Sequence, residues 1–242
     1  KAAFGADLHL PGMLHGKVLR SPHPHARIRG IDVSKALALD GVKAVMTAAD
    51  LPPLDRVAGT AGGELLITLL DLRRMTIAHD KALYDGHAIA AVAATTPEIA
   101  QQAVELIEVD YEVLPPVESA LDAMKPDAAL LHEDLYTKTL GARATAPSNI
   151  AMYVESARGD IDQGFAQADL VHETTYDTRM VHQGYIEPTA TAAWAQGDGK
   201  VTVWSTTQGI FGIRRSLSDL LELSLDKINV IPMEVGGAFG GK

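Results

Sequence analysis

The stretch AIAAVAATTPEIAQQAVELIEVDYEV, residues 88–113, decides the fold of the first half of the chain. It begins with an uninterrupted apolar run, Ala88–Ala94, which is typical of a buried strand. Thr96, Pro97 and Glu98 follow as an N-cap residue, a proline at the first helical position and an acidic residue in the first turn. The stretch therefore predicts a strand that passes directly into a helix.

Apolar residues recur after this cap at the spacing of one helix face. They are Ala100, Ala103, Val104 and Ile107. Beyond the predicted helix, apolar Val109, Tyr111 and Val113 alternate with acidic residues, which predicts a half-buried strand. Strand, helix and strand within about 30 residues form a small α/β unit.

The composition indicates a folded, acidic protein. The 242 residues allow one large or two small domains, and the 47% hydrophobic content suffices for a core. With 21 Lys and Arg against 31 Asp and Glu, the net charge of −10 argues against a nucleic-acid-binding protein. No apolar run is long enough to span a bilayer. Aromatic residues make up only 5%, and small aliphatic side chains suit a layered α/β or α+β domain. Together with the elements predicted along the chain, the expected fold class is α+β.

The sequence contains no cysteine. This excludes disulfides, thiolate metal sites, cysteine-ligated iron–sulfur clusters and cysteine nucleophiles from these 242 residues. No signal-peptide pattern is present either, so the expected localisation is cytoplasmic.

The second half of the chain starts with a weakly patterned segment. Residues 117–150 contain prolines and polar residues without clear periodicity, which predicts a long connection between two domains. Asp160 then provides an N-cap for a short helix that runs through Ala168. Leu170–Thr178 is rich in alternating and β-branched residues and predicts a strand.

A hairpin, a helix and a further strand are predicted next. Thr189–Trp194 and Val201–Ser205 flank the sequence GDGK at 197–200, and Asp-Gly between two strand patterns is a strong hairpin signal. Alternation over Lys227–Val235 predicts the further strand. The apolar residues that predict the intervening helix are Ile213, Leu217, Leu220 and Leu221.

The last predicted strand leads into GGAFGGK, residues 236–242, which we call the glycine loop. Glycine permits positive φ and a close approach of backbone to a ligand, and successive backbone N–H groups can hold an oxyanion. A flexible segment or an ordinary turn explains the same composition. The pattern G-x-x-x-x-G-K also matches a Walker A sequence without its final Ser or Thr, so a P-loop is a further alternative.

Polar residues elsewhere give weaker signals. His23 and His25 flank a proline as an H-x-H pair, but no third metal ligand accompanies them, so a structural role is the better interpretation. His87 and His182 have the same status, as polar side chains that a core can satisfy. Glu187 precedes a proline, and we expect its carboxylate to hold the local turn through backbone N–H groups.

Seven stretches, in order along the chain, resemble the xanthine dehydrogenase/aldehyde oxidase family, and in particular its molybdenum-cofactor-binding large subunit. They are Asp7–Gly16, Arg20–Ile28, Gly41–Leu51, Tyr84–Val92, Gln183–Pro188, Ser205–Gln208 and Gly236–Lys242. The resemblance covers essentially the whole chain. Position 87 departs from many relatives, which have an acidic or amide residue where this chain has His87.

The resemblance implies an α/β hammerhead domain at residues 1–115, a connecting segment at 116–145 and the N-terminal part of a molybdenum-cofactor-binding domain at 146–242. It implies a molybdenum–molybdopterin cofactor, expected in its cytosine dinucleotide form, with no side chain ligating the metal directly. Gln208 and Gly240 would lie near the oxo and sulfido ligands of molybdenum. The expected cofactor-binding residues are Gln208, Gly237, Ala238, Phe239, Gly240 and Gly241.

The resemblance also implies oxidation of an aldehyde, an N-heterocycle or a related small substrate with water as the oxygen source. Electrons would pass to iron–sulfur clusters and FAD on partner subunits. The family's catalytic glutamate lies downstream of residue 242, so no catalytic residue is assigned and the chain alone is expected to be inactive. The expected partners are the remainder of the large subunit or a second molybdenum-subunit chain, an FAD subunit and an iron–sulfur subunit, with no nucleic acid and no membrane span.

Two alternatives stay open beside this oxidoreductase component. One is a non-catalytic docking module of such a complex, which an assembled complex without molybdenum would indicate. The other is a P-loop nucleotide-binding protein. Nucleotide binding that is lost in Lys242→Ala would indicate this second alternative.

Overall fold

The computed structural model describes residues 2–52, 60–61, 67–139 and 144–242. The strands are β1 (His15–Arg20), β2 (Ala26–Asp32), β3 (Val42–Thr47), β4 (Thr60–Ala61), β5 (Ile67–Thr68), β6 (Lys81–Ala82), β7 (Ala88–Ala94), β8 (Glu108–Val113), β9 (Thr191–Ala195), β10 (Val201–Ser205) and β11 (Ile228–Pro232). The helices are α1 (Ser34–Ala38), α2 (Leu69–Thr76), α3 (Pro97–Glu105), α4 (Ala120–Ala123), α5 (Ile161–Ala166) and α6 (Ile210–Leu221). Residues 140–143 of the predicted connecting segment lie outside the described residues. Within the described ranges, no helix is both long enough and apolar enough to cross a membrane.

Strand β7 is the centre of a three-stranded antiparallel sheet with the order β1-β7-β3. Its alanines leave room for helix α3, which buries its predicted apolar face against the sheet. Thr96 caps α3 by accepting a hydrogen bond from the Ile99 N–H, and Pro97 lies in the first turn. The predicted passage from strand through cap to helix is therefore confirmed.

A second antiparallel sheet has the order β6-β2-β8. Ile89 of β7 packs in one buried cluster with Ala26 of β2 and Ala82 of β6, so the two sheets share a core. The predicted strand β8 is confirmed, but Val113 at its end is 61% exposed. The apolar face of β8 is therefore half-buried at Val109 and Tyr111 and exposed at Val113.

The third sheet has the order β11-β10-β9 and contains the predicted hairpin. β9 and β10 run antiparallel, and Gly199 in their turn has a φ of 80°, in the region that favours glycine. β10 and β11 run parallel, from Val201 opposite Ile228 to Ser205 opposite Pro232, and α6 connects them. Parallel neighbours need such a crossover, so the predicted helix and final strand are confirmed as one β–α–β unit.

Contacts group the chain into two units, one formed by residues up to 114 together with 183–242 and the other by residues 115–182. The second unit contains only α4 and α5 as described helices. Within it, the Asn149 side chain accepts a hydrogen bond from the Leu131 N–H and donates to the carbonyls of Ala123 and Ala129. One amide side chain therefore joins the end of α4 and the segment 129–131 to the segment that contains Asn149.

The predicted strand at Leu170–Thr178 is wrong, because these residues form no regular structure. Leu170 is 84% exposed and Tyr176 is 85% exposed. Strand propensity is expressed when a neighbouring strand supplies hydrogen bonds and packing, and the structure pairs this segment with no described strand. The predicted helix after Asp160 is confirmed, and it ends at Ala166 rather than at Ala168.

Candidate functional site

The glycine loop, which follows β11, has a strongly bent backbone. Gly237, Phe239 and Gly240 have φ angles of 93°, 50° and 85°. This region is uncommon for a bulky residue such as Phe239, whose side chain is 72% exposed. The Gly241 N–H closes a turn by donating to the Ala238 carbonyl at 2.8 Å. The loop therefore presents one aromatic ring to solvent, while the preceding residue, Ala238, is buried.

Two of the four glycines of the loop, Gly236 and Gly241, lie too close to neighbouring side chains to carry a side chain of their own. A Cβ at Gly236 would lie 2.7 Å from the Glu187 Cβ, and one at Gly241 would lie 2.8 Å from the Tyr185 Cε1. A Cβ at Gly240 would meet no atom within 4 Å. Gly240 is therefore required by its φ, and its surroundings are open.

Gln208 lies beside the glycine loop, beyond the end of β10. The Gly240 N–H donates to the Gln208 Oε1 at 3.0 Å, and the Gln208 N–H donates to the Lys242 carbonyl at 3.2 Å. Buried Thr206 bonds to the backbone of Ala190, which fixes the chain just before Gln208. The structure thus brings Gln208 and the loop together. Their role in binding a cofactor stays a prediction.

Glu187 joins the two ends of the glycine loop. Its Oε2 accepts a hydrogen bond from the Gly236 N–H at 2.6 Å and one from the Lys242 Nζ at 2.8 Å. The Lys242 ammonium lowers the pKa of Glu187 most, and the N–H groups of Gly236 and Gly5 lower it further. The carboxylate therefore has a structural role, but its partners are distant residues and not, as the sequence predicts, the backbone of its own turn. Its ion pair with Lys242 spans 55 positions, and no local pattern in the sequence indicates it.

Lys242 is the lysine of the Walker A-like pattern. Its side chain is fully buried against Glu187, and its Nζ lies 4.9 Å from the centre of the Tyr185 ring. The lysine of a P-loop reaches the phosphates of a nucleotide. Because this ammonium is already held by a carboxylate and an aromatic face, the geometry does not favour the P-loop alternative.

His87 is a core residue. It is 0% exposed, its Nε2 lies 2.7 Å from the Arg74 carbonyl, and its Nδ1 accepts a hydrogen bond from the Leu83 N–H at 3.2 Å. The ring stacks on Tyr84 with 4.3 Å between ring centres. This arrangement requires a neutral imidazole with its proton on Nε2, and burial lowers the pKa of His87 accordingly. His87 thus fixes the turn that precedes β7.

The H-x-H pair is built into the fold around β2. The His23 ring packs edge-on against Tyr111 with 5.1 Å between ring centres, and His25 is buried. Outside the gaps at 53–59, 62–66 and 140–143, no three His, Asp or Glu side chains come together as a metal site. His182 is exposed in the second unit.

The open side of the glycine loop offers neutral hydrogen-bond donors. A glutamine side chain has two amide N–H donors beyond its oxygen, and exposed Gln208 uses that oxygen for Gly240. Neutral donors beside an uncrowded backbone suit anionic oxygen. The site can therefore hold an anionic group.

Two family models match the chain. The model for the aldehyde oxidase and xanthine dehydrogenase a/b hammerhead domain matches residues 1–115. The model for the molybdopterin cofactor-binding domain matches residues 143–242, which include Gln208 and the glycine loop.

Curated relatives match along the entire chain. The carbon monoxide dehydrogenase large chain of Afipia carboxidovorans is 38% identical over 246 residues, which cover 100% of this chain and 29% of the relative. The nicotinate dehydrogenase large molybdopterin subunit of Eubacterium barkeri is 34% identical, and the match covers 100% of this chain and 51% of that subunit. The chain thus spans between about a quarter and about half of the length of such relatives.

Solved structures give the same result. The reconstituted CO dehydrogenase from Oligotropha carboxidovorans superposes with a TM-score of 0.80 at 35% identity, covering 100% of this chain and 30% of that chain. The aldehyde oxidoreductase from Desulfovibrio gigas gives a TM-score of 0.76 at 26% identity, covering 99% of this chain and 25% of that one. The expected α+β fold class, a hammerhead domain with part of a cofactor-binding domain, is confirmed. The chain belongs to the xanthine dehydrogenase/aldehyde oxidase family, in which it matches the N-terminal part of the molybdenum-cofactor-binding large subunit.

Proposed function

We propose that the chain is part of the large subunit of a molybdenum hydroxylase, which oxidises an aldehyde, an N-heterocycle or a related small substrate with water as the oxygen source. The observation that carries this proposal is the hydrogen bond between Gly240 and Gln208. The surroundings of Gly240 are open, and both residues lie within the segment that the cofactor-domain model matches. The relatives in the comparisons are named as dehydrogenases and an oxidoreductase, which supports the reaction class.

The open side of the glycine loop suits a molybdenum–molybdopterin cofactor. Gly240 leaves space where a side chain would otherwise stand, and the neighbouring N–H donors suit anionic oxygen. When bound, this cofactor supplies the two-electron redox chemistry of the hydroxylation. We expect its cytosine dinucleotide form, and chromatography of the nucleotide released by acid identifies the form. Release of another nucleotide, or of none, contradicts this part of the proposal.

Each predicted site residue has a part in the proposal. Gln208 holds an oxygen ligand through its amide N–H groups, and the bond from Gly240 fixes which way this amide faces. The Gly240 N–H already has an acceptor, so a ligand that uses it must share or replace that bond. The exposed Phe239 ring forms a wall of the site. The backbone of Gly237, Ala238 and Gly241 completes the surface.

The proposal extends to the domains and the partners of the chain. We assign a hammerhead domain to residues 1–115, a connecting segment to 116–145 and a cofactor domain to the residues from 146 onward. These 242 residues contain no cysteine and therefore ligate no iron–sulfur cluster themselves. We assign the iron–sulfur clusters and FAD to partner subunits, and the complex to the cytoplasm. The catalytic glutamate, which accepts a proton in the reaction, belongs to the remainder of the large subunit or to a second chain. These 242 residues alone therefore do not turn over substrate.

The test is elemental analysis of the protein purified from its natural source, together with a denaturing gel. We expect stoichiometric molybdenum and additional chains in the same preparation. An assembled complex without molybdenum and pterin contradicts the proposed function. Substrate oxidation by the 242 residues in isolation contradicts the proposed division of the active site.

A docking module is a second candidate function, and one specific observation favours it. Large apolar side chains are exposed along 161–181 in the second unit, which is typical of an interaction surface. They are Ile161, Phe165, Leu170, Val171, Tyr176, Met180 and Val181. If the chain forms a stable complex with partner subunits and that complex contains no molybdenum, the docking function is indicated.

A further inference from the structure

We propose that Glu187 is a positioning residue, which holds both ends of the glycine loop through Gly236 and Lys242 and thereby sets the direction of the Gly240 N–H at Gln208. This inference rests on the proposed function, because it assigns a purpose to the loop geometry. The structural part of the inference, the control of the loop by Glu187, is testable without any cofactor.

Glu187 is attached to both ends of the glycine loop. Gly236 and Lys242 are the first and last residues of the glycine loop, and one carboxylate oxygen of Glu187 accepts a hydrogen bond from each, at 2.6 Å and 2.8 Å. The Glu187 N–H also donates to the Gly236 carbonyl at 3.3 Å. Glu187 therefore fixes Gly236 through backbone and side chain together, and it fixes Lys242 through charge.

The ion pair between Glu187 and Lys242 is largely buried. The Lys242 side chain is 0% exposed and that of Glu187 is 12% exposed, so water does not readily replace either partner. A buried ammonium without a counter-charge is strongly unfavourable. The Tyr185 ring, 4.9 Å from the ammonium, adds a cation–π contact but carries no compensating charge. The ion pair is therefore the interaction that keeps Lys242 in this place.

Gln208 links this ion pair to the predicted site. The Lys242 carbonyl accepts the Gln208 N–H at 3.2 Å, and the Gln208 Oε1 accepts the Gly240 N–H at 3.0 Å. A shift of Lys242 therefore moves an anchor of the Gln208 backbone, and a shift of Gln208 redirects the acceptor of Gly240. Glu187 acts on the site through these residues and need not contact a ligand.

The experiment uses the complete large subunit in its assembled complex, with Glu187→Gln, Lys242→Met and the double variant. Gln is isosteric with Glu and can still accept the Gly236 N–H, but it has no charge for Lys242. Glu234→Gln is the matched control, because it makes the same change at an exposed position close to Gly236 and outside the ion pair. Amide hydrogen exchange of peptides that cover 234–242 is measured by mass spectrometry.

We expect Glu187→Gln and Lys242→Met each to raise the exchange rate of the glycine loop by at least about tenfold, because each leaves a buried charge or its acceptor without a partner. We expect the double variant to recover a large part of this protection, and Glu234→Gln to match the wild type. Exchange in Glu187→Gln equal to that of the control, or strictly additive effects in the double variant, overturns the inference.

A second measurement separates this inference from the proposed function. In complexes that contain molybdenum, we expect Glu187→Gln to change the molybdenum(V) electron paramagnetic resonance spectrum and to lower kcat more than it raises KM. An unchanged spectrum together with an unchanged kcat overturns the link from Glu187 to the site. A wild-type complex without molybdenum overturns the proposed function instead, while the exchange experiment still decides whether Glu187 positions the loop.

Discussion

Gly240 donates its backbone N–H to the side-chain oxygen of Gln208 at 3.0 Å, although the two residues are 32 positions apart. They meet because β10 and β11 are parallel neighbours whose last residues, Ser205 and Pro232, lie opposite each other. The segments that follow two parallel neighbours leave the sheet at the same edge, which is where such sheets place their ligands. The contact is therefore a product of the β–α–β unit.

Gln208→Ala removes the acceptor of the Gly240 N–H and the amide donors proposed for the ligand. We expect kcat of the assembled complex to fall by about 10²-fold, the usual effect of removing one donor that faces developing charge. Steady-state kinetics check this, with Gln101→Ala on helix α3 as the control. A kcat within about twofold of the wild type removes Gln208 from the proposed site.

Gly236→Ala places a Cβ 2.7 Å from the Glu187 Cβ, a separation that forces the loop or the preceding segment to move. We expect the free energy of unfolding to fall by about 1–3 kcal/mol, as for other overpacked positions. Urea unfolding measures this change. Gly16→Ala is the control, since a Cβ there meets no atom within 4 Å, and equal stabilities of the two variants contradict the close approach at Gly236.

His87 makes the stability of the protein depend on pH. Burial lowers its pKa in the folded state, so below about pH 6.5 the unfolded chain takes up a proton that the folded chain does not. The stabilisation is therefore complete above about pH 6.5 and is lost as the pH falls towards the folded pKa.

We expect His87→Gln to reduce this pH dependence by up to about 1.4 kcal/mol per pH unit, the value for one proton. Denaturant unfolding from about pH 7.5 to about pH 5 measures both proteins. The pKa of His79 is also lowered, first by burial and then by the charge of Arg73. His79 is present in both proteins, and it changes the stability with pH in the same direction as His87. Identical slopes for the two proteins show that His87 is not the responsible group.

Asn149→Ala leaves the Leu131 N–H without its acceptor and the carbonyls of Ala123 and Ala129 without their donor. Unpaired groups of this kind cost about 1–3 kcal/mol each, so we expect local opening of residues 115–182 to rise by at least about tenfold. Limited proteolysis with fragment mapping measures this. Asn229→Ala, at an exposed position of β11, is the control, and equal cleavage rates contradict the role of Asn149.

Local signals predicted the elements whose causes are local. Thr96 caps α3 through its own side chain, and Gly199 supplies the positive φ that the hairpin turn requires. In each case the residue that gives the signal also makes the interaction. The family resemblance added the proximity of Gln208 to the glycine loop, which no spacing in the sequence establishes.

The sequence patterns did not indicate the interactions between residues that are far apart along the chain. Glu187 and Lys242 are 55 positions apart, and no periodicity pairs them. Leu170–Thr178 has the composition of a strand but finds no described strand to pair with. In both cases the outcome depends on what the rest of the fold brings near, which is a property of topology and not of the residues themselves.

Pairing of β11 with β10 closes a chain loop that contains the whole of α6, so Gln208 and Gly240 cannot meet until this crossover has docked. The entropy of closing such a loop must be overcome before its contacts contribute, which makes non-local pairings slow steps in folding. Val201 and its partner Ile228 are nevertheless closer along the chain than His15 and its partner Ala94, so closing this crossover costs less entropy than pairing β1 with β7. A ligand that contacts both Gln208 and Gly240 therefore needs the β–α–β unit to be formed first.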